Sequence, residues 1–226
     1  FMSDVLEKLK PLIDTTILKL SNPNFRKDPI GGKFGFITSV ISSAYKRHGA
    51  ILEEAIVERL RECKHLEIFI EDKFPISQRA SMLASQSGKD LDITAGTNLP
   101  YETKSPARVL QIDCIVFNKR KRSISSYEIK RGNGAFDAGK KRSIRNDLLS
   151  TNFLLKNYGK LKKLNVKKSY SYIICYYGLR ALPAPFSLVK EDLDSHFGAS
   201  VVKEVEQVNN YFKNSLHTMI ESKSNE

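Results

Sequence analysis

Two short runs, Gln111–Phe117 and Ser126–Lys130, constrain this chain more than any other part of it. In the first, Val109, Gln111, Asp113, Ile115 and Phe117 alternate with Leu110, Ile112, Cys114 and Val116. In the second, Ser126, Glu128 and Lys130 alternate with Tyr127 and Ile129. Both spacings predict strands, and the first is apolar on both sides, as a buried strand is. Side chains change face at every strand residue, so Glu128 and Lys130 point the same way. If the strands pair through the Asn118–Ser125 connection, Asp113 joins that face. A buried charge is costly unless it is paired or liganded. Two carboxylates and a lysine on one buried face are therefore the main functional clue.

The charge distribution adds a second clue. The chain of 226 residues has a formal net charge of +12. Between Asn118 and Lys168 there are 16 Lys and Arg against three acids, Glu128, Asp137 and Asp147. The whole excess thus lies in the segment that contains and follows the carboxylates. Such a run reads either as a solvated face or as a surface for a polyanion, of which nucleic acid is the commonest.

Length predicts a single domain, 1–226, with a full core. No apolar run approaches the ~18–20 residues that span a bilayer, so no membrane association is expected. The N-terminal residues lack a basic-then-apolar leader. Cys63, Cys114 and Cys175 are far apart in apolar runs and read as buried thiols in a reducing compartment, so the expected location is cytoplasmic.

Taken in order, N-terminal helices are predicted over 3–45, with Ser3 as N-cap, Pro11 kinking or dividing the first, and a second at Phe34–Tyr45. Gly31-Gly-Lys33 lacks the flanking residues of a phosphate loop. A helix runs from His48 to about Cys63, with Leu52, Ala55, Ile56, Arg59 and Leu60 facing inward, Glu53 at their border, and Glu54 and Glu58 outward. His65–Phe74 is a strand ended by Pro75. Ile76–Arg108 reads as a polar insertion without regular structure, and its Asp90-Leu-Asp92 is a rival carboxylate pair in an exposed turn. After the two central strands come a Gly132-Asn-Gly134 turn, a helix from Asp137 to about Tyr158, and a strand at Ser169–Tyr177. C-terminal helices are predicted over 187–220, a short one near Ser187–His196 and a last one at Ala199–Ile220, with Glu221–Glu226 fraying.

The centre, about 47–178, thus reads helix, strand, strand, strand, helix, strand. In this it resembles the PD-(D/E)XK nuclease superfamily, whose shared core has the order αβββαβ. That family carries an Asp on the second core strand and Glu or Asp, any residue, then Lys on the third. Asp113, Glu128 and Lys130 fill those positions, with Ile129 between the last two. Many members also have a Glu on the first core helix, which Glu53 matches, four residues after Gly49, with Glu54 as the alternative. Ile112 stands where the motif has Pro. The resemblance implies an α/β, restriction-endonuclease-like fold: a mixed central sheet flanked by helices, with extra N- and C-terminal helices.

It also implies a chemistry. Asp113 and Glu128 would hold Mg²⁺, or Mn²⁺ as a substitute, since hard cations prefer carboxylate oxygens and retain waters. The Ile129 carbonyl would be a further metal ligand, and Glu53 would bind a second metal or orient water. Lys130 would position or help deprotonate the nucleophile and offset charge on the phosphate. Lys119, Arg120, Lys121 and Arg122 fill the hairpin connection beside the carboxylates. Arg131, Lys140, Lys141, Arg142 and Arg145 lie at the following turn and first helical turns and are favoured as DNA backbone contacts. The expected activity is that of a Mg²⁺-dependent DNA endonuclease, most like a type II restriction enzyme, a class that often works as homodimers. A repair or junction-resolving nuclease and a non-cutting nucleic-acid-binding module are the alternatives. Set against catalysis is a plain structural reading, in which Asp113 and Lys130 form an ion pair and Glu128 is solvated at a sheet edge.

Overall fold

The computed structural model describes residues 4–22, 28–87, 97–102, 104–132 and 136–224. Five strands form one sheet in chain order: β1 (Leu66–Ile76), β2 (Arg108–Asn118), β3 (Ser123–Lys130), β4 (Lys168–Cys175) and β5 (Ser187–Val189). β1, β2 and β3 run antiparallel in turn, whereas β3–β4 and β4–β5 are parallel. A parallel connection needs a crossover, and α4 (Ala138–Leu161) supplies it between β3 and β4. Asp137 caps α4, its Oδ1 accepting from Lys140 N at 2.8 Å. The fold is α/β, with a mixed sheet flanked by helices.

The chain divides into two compact units, Leu60–Leu193 and Phe1–Arg59 with Asp194–Glu226, where length alone predicts one domain. One sheet face of this unit carries a hydrophobic cluster. Ile115 and Phe117 of β2, Ile124 of β3 and Ile173 of β4 pack with Ile144, Leu148, Phe153 and Leu155 of α4. The periodicity of α4 dictates this, because its apolar positions recur at helical spacing. β1 continues through Pro75 instead of stopping before it, since β1 is an edge strand and Pro75 forfeits no bond on its open side. Within Ile76–Arg108, α3 (Gln78–Gln86) replaces the expected irregular chain, with Ser77 Oγ accepting from Ala80 N. Asp90 and Asp92 lie outside the described residues, as do Ser3, Asn133 and Gly134.

The other unit is helical. α1 (Asp4–Leu20) passes unbroken through Pro11, and α2 (Gly35–Arg61) is one helix where two are predicted. Buried Val40, Ala44, Ile51, Leu52, Ala55 and Ile56 keep one apolar stripe across Gly49, whose cost of about 1 kcal/mol is small beside that burial. α6 (Val202–Ser224) packs on α1 and α2, with His48 Nε2 3.1 Å from Asn209 Oδ1 and Tyr211 donating to Asp14 Oδ1 at 2.9 Å. α6 extends to Ser224, past the predicted fraying point. The helix predicted near Ser187–His196 is instead β5, a 3₁₀ turn (Lys190–Asp192) and the short α5 (Leu193–Phe197). Ser187–Val189 become a strand because they pair with Ile173–Cys175, a partner that local spacing cannot reveal.

Candidate active site

β2 and β3 pair from Asn118–Ser123 to Cys114–Tyr127, and there their ladder ends. Upstream, β2 stays with β1, Ile112 opposite Glu71 and Leu110 opposite Phe74, while Glu128–Lys130 stay with β4. The two central strands therefore part at Asp113. Its Oδ2 accepts from the Ile129 N–H at 2.6 Å, substituting for a ladder bond and fixing the carboxylate.

Asp113, Glu128 and Lys130 are brought together at this divergence. Lys130 Nζ lies 2.6 Å from Glu128 Oε1 and 3.7 Å from Asp113 Oδ2. Side-chain exposure rises from 8% at Asp113 to 33% at Glu128 and 40% at Lys130, so the group runs from a buried anchor to an open mouth. Burial pushes the Glu128 carboxyl above its ordinary pKa and the Asp113 charge adds to this, while Lys130 opposes both. Asp147 raises it further.

The end of β3 that carries Lys130 is held to β4. Tyr176 N donates to Lys130 O at 3.0 Å and Tyr177 N to Arg131 O at 2.8 Å. Gly132 turns the chain with φ +71°, and a Cβ on Gly178 would lie 1.3 Å from Gly132 O. Only glycine permits this approach, which mounts Lys130 rigidly.

A cleft of about 170 Å³ opens between β2, β3 and α4. Gln111, Glu128, Lys140, Asp147 and Thr151 supply its polar lining, with Ile144 and Leu148 among its apolar residues. Asp147 is the residue that sequence reasoning missed. It lies between Ile144 and Leu148 on the inward stripe of α4, a position where an acid is a readable signal. Arg108 holds it through an ion pair and also reaches Ser150 Oγ at 3.4 Å.

The other expected residues divide by location. Lys119, Arg120, Lys121 and Arg122 occupy the β2–β3 turn, five residues along β2 from Asp113, roughly 17 Å at strand rise, and so at the far end of the strands and not beside the carboxylates. Antiparallel pairing forces this, because the site forms where the strands part and the turn where they join. Arg122 is bonded to Asn165 in that turn. Lys140 lines the carboxylate cleft, whereas Lys141, Arg142 and Arg145 line a separate groove. Arg131 lies over the Tyr177 ring, 5.6 Å from its centroid. Glu53 and Glu54 are half-buried on α2, in the helical unit.

The donor set can be tested against a hard divalent cation. Among the described residues, no three His, Cys, Asp or Glu side chains converge as a closed metal cage. Mg²⁺ needs no such cage, since it is held by one or two carboxylates and keeps several waters. Asp113 Oδ1 and Glu128 Oε2 accept no hydrogen bond from the described residues. Among the described residues, these two carboxylate oxygens are the type that a hard cation takes, and Glu128 lines the cleft.

Compared with known proteins, the chain matches no family model, no curated protein and no solved structure.

Proposed function

We propose that the sheet unit is a metal-dependent nuclease with a PD-(D/E)XK, restriction-endonuclease-like core, hydrolysing DNA phosphodiester bonds. One observation carries the reading: β2 and β3 separate where Asp113, Glu128 and Lys130 meet, so the two central strands open at their charged cluster. The order of α2, β1, β2, β3, α4 and β4 supports it, with α3 inserted and β5 added. So does the basic start of α4, from which Lys140 lines the cleft.

Asp113 and Glu128 would hold Mg²⁺ through the oxygens that protein donors leave open. When bound, the cation supplies charge neutralisation on the phosphate and acidifies the attacking water. Asp113 supplies the fixed point, because Ile129 N–H sets its orientation before any ligand arrives. The same bond fixes the Ile129 backbone, whose carbonyl is the third proposed ligand. Lys130 bridges the two carboxylates in the free protein and, on substrate binding, turns its charge toward the phosphate.

The test is nicking of supercoiled plasmid and cleavage of linear DNA with Mg²⁺, Mn²⁺ or EDTA, using wild type, Asp113→Asn and Lys130→Ala. Metal-dependent cutting lost in both variants supports the nuclease, and discrete bands support restriction-type specificity. Tight DNA binding without cutting, retained in both variants, replaces it with the binding module. The 2.6 Å Lys130–Glu128 ion pair is the observation favouring that second reading.

A further inference from the structure

Of the three clustered charges only Glu128 lines the cleft between β2, β3 and α4, and the cleft walls include four aliphatic side chains, Leu110, Ile112, Ile144 and Leu148. A phosphate or a hydrated cation gains nothing from such walls, whereas a flat ring packs against them. Ile144, Asp147 and Leu148 fall at i, i+3 and i+4 on α4, so one helix face supplies both apolar wall and carboxylate. Arg108 pairs with Asp147 Oδ1 and holds the side chain in place. Asp147 Oδ2 accepts no hydrogen bond from the described residues. A carboxylate has about four lone-pair sites, so the ion pair on one oxygen leaves the other able to accept. From β2, Gln111 brings an exposed amide to the same cleft. At about 170 Å³ the space suits one six-membered ring, since an apolar cavity of about 150 Å³ holds a benzene.

We propose that this cleft is a base pocket, which receives one unpaired cytosine beside the phosphate held at Asp113, Glu128 and Lys130. The polymer class rests on the nuclease reading; the base rests on the pocket's own size and polar groups. A base pair is too wide for the space, so the nucleotide enters unstacked and unpaired. Its ring lies against the aliphatic walls. An ionised carboxylate accepts hydrogen bonds and donates none, so Asp147 takes the amino group of cytosine and repels the O4 carbonyl of thymine. The Gln111 amide donates to a ring acceptor on the same edge. Glu128 belongs to both the pocket and the charged cluster, so the base that is read is the one next to the reacting phosphate.

Fluorescence anisotropy in EDTA tests this, using the full chain and labelled duplexes that carry one bulged cytosine, one bulged thymine, or no bulge. Wild type should bind the bulged cytosine at least roughly 5-fold more tightly than the bulged thymine, the lower end of what one base contact discriminates. Asp147→Asn replaces an acceptor by a group that also donates, so the preference should vanish or invert. Gln111→Leu should weaken bulged-cytosine binding and leave the fully paired duplex unchanged, and it decides the matter if Asp147→Asn unfolds the chain. Equal wild-type affinity for the two bulges overturns the proposal, as does a cytosine preference that survives Asp147→Asn or an unchanged bulged-cytosine affinity in Gln111→Leu. Metal-dependent cutting without a cytosine preference overturns this proposal alone, whereas absence of any oligonucleotide binding overturns the nuclease reading with it.

Discussion

The Asp113 carboxylate takes the place of a backbone carbonyl, its Oδ2 accepting from Ile129 N–H at 2.6 Å where β2 leaves β3. A side chain thus replaces the ladder bond and keeps β3 tied to β2 where the strands part. The position therefore has a structural task and, on the proposed reading, a catalytic one, which different substitutions separate. Asp113→Ala strands a buried N–H and is expected to cost about 1–3 kcal/mol. Asp113→Asn keeps an acceptor for Ile129 and should cost less than Ala, while both variants lose Mn²⁺ binding. Urea unfolding and calorimetric Mn²⁺ titration measure the two effects. Equal Mn²⁺ affinity in Asp113→Asn and wild type would remove Asp113 from the metal site.

On the proposed reading, Glu128 would make metal binding depend on pH. Its pKa is raised, first by burial and then by the Asp113 charge, and a cation must displace its proton. Mn²⁺ affinity should therefore climb with pH above 4.5, up to and through the raised value. Asp147→Asn removes one of the charges that raise it, so the midpoint of this profile should move to lower pH. A midpoint that stays in place or moves up would show that Asp147 does not act on Glu128.

The same shift has a sign for stability. Without metal, the folded state holds the Glu128 proton more tightly than the unfolded chain. This contribution is fully present below the unfolded value of about 4.5. It is lost as pH rises through the folded pKa. Glu128→Gln should flatten that part of the stability–pH curve in metal-free buffer, measured by denaturant midpoints at successive pH values. A curve identical to wild type would refute the assignment.

Gly178 and Gly132 set the mounting of Lys130. Gly178→Ala places a methyl group 1.3 Å from Gly132 O, a backbone atom with no free path away. The expected cost is about 3 kcal/mol or more, at the upper end for overpacking. Loss of protection at the Tyr176 and Tyr177 amides, read by hydrogen exchange, should accompany it. A wild-type melting curve for this variant would mean that the two loops are farther apart in solution.

A fourth position tests the sheet unit away from the site. Tyr158 donates to Glu71 Oε1 at 2.6 Å, with Lys162 Nζ 3.1 Å from the same oxygen. Tyr158→Phe should cost about 1 kcal/mol, because Lys162 still satisfies the carboxylate. Denaturant unfolding checks this, and a loss above about 3 kcal/mol would show that the hydroxyl supports more than this one bond.

Local pattern by itself determined the central strands, the helix capped by Asp137, and the common face of Glu128 and Lys130, which Asp113 joins only through the β2–β3 pairing. Strand alternation and helical spacing are properties of neighbouring residues, so these features are legible without a partner. Asp147 is legible by the same rule, because it falls between Ile144 and Leu148 on one helical stripe. Only the tertiary structure decided the rest. Ser187–Val189 becomes a strand because β4 offers it a ladder, and Pro75 remains in β1 because β1 is an edge. The hairpin cations and the carboxylates sit at opposite ends of β2 because antiparallel strands join at one end and part at the other. The divergence at Asp113 depends on β1 and β4 competing for the two central strands from either side. No short stretch of sequence contains that competition, because its parties lie tens of residues apart in the chain.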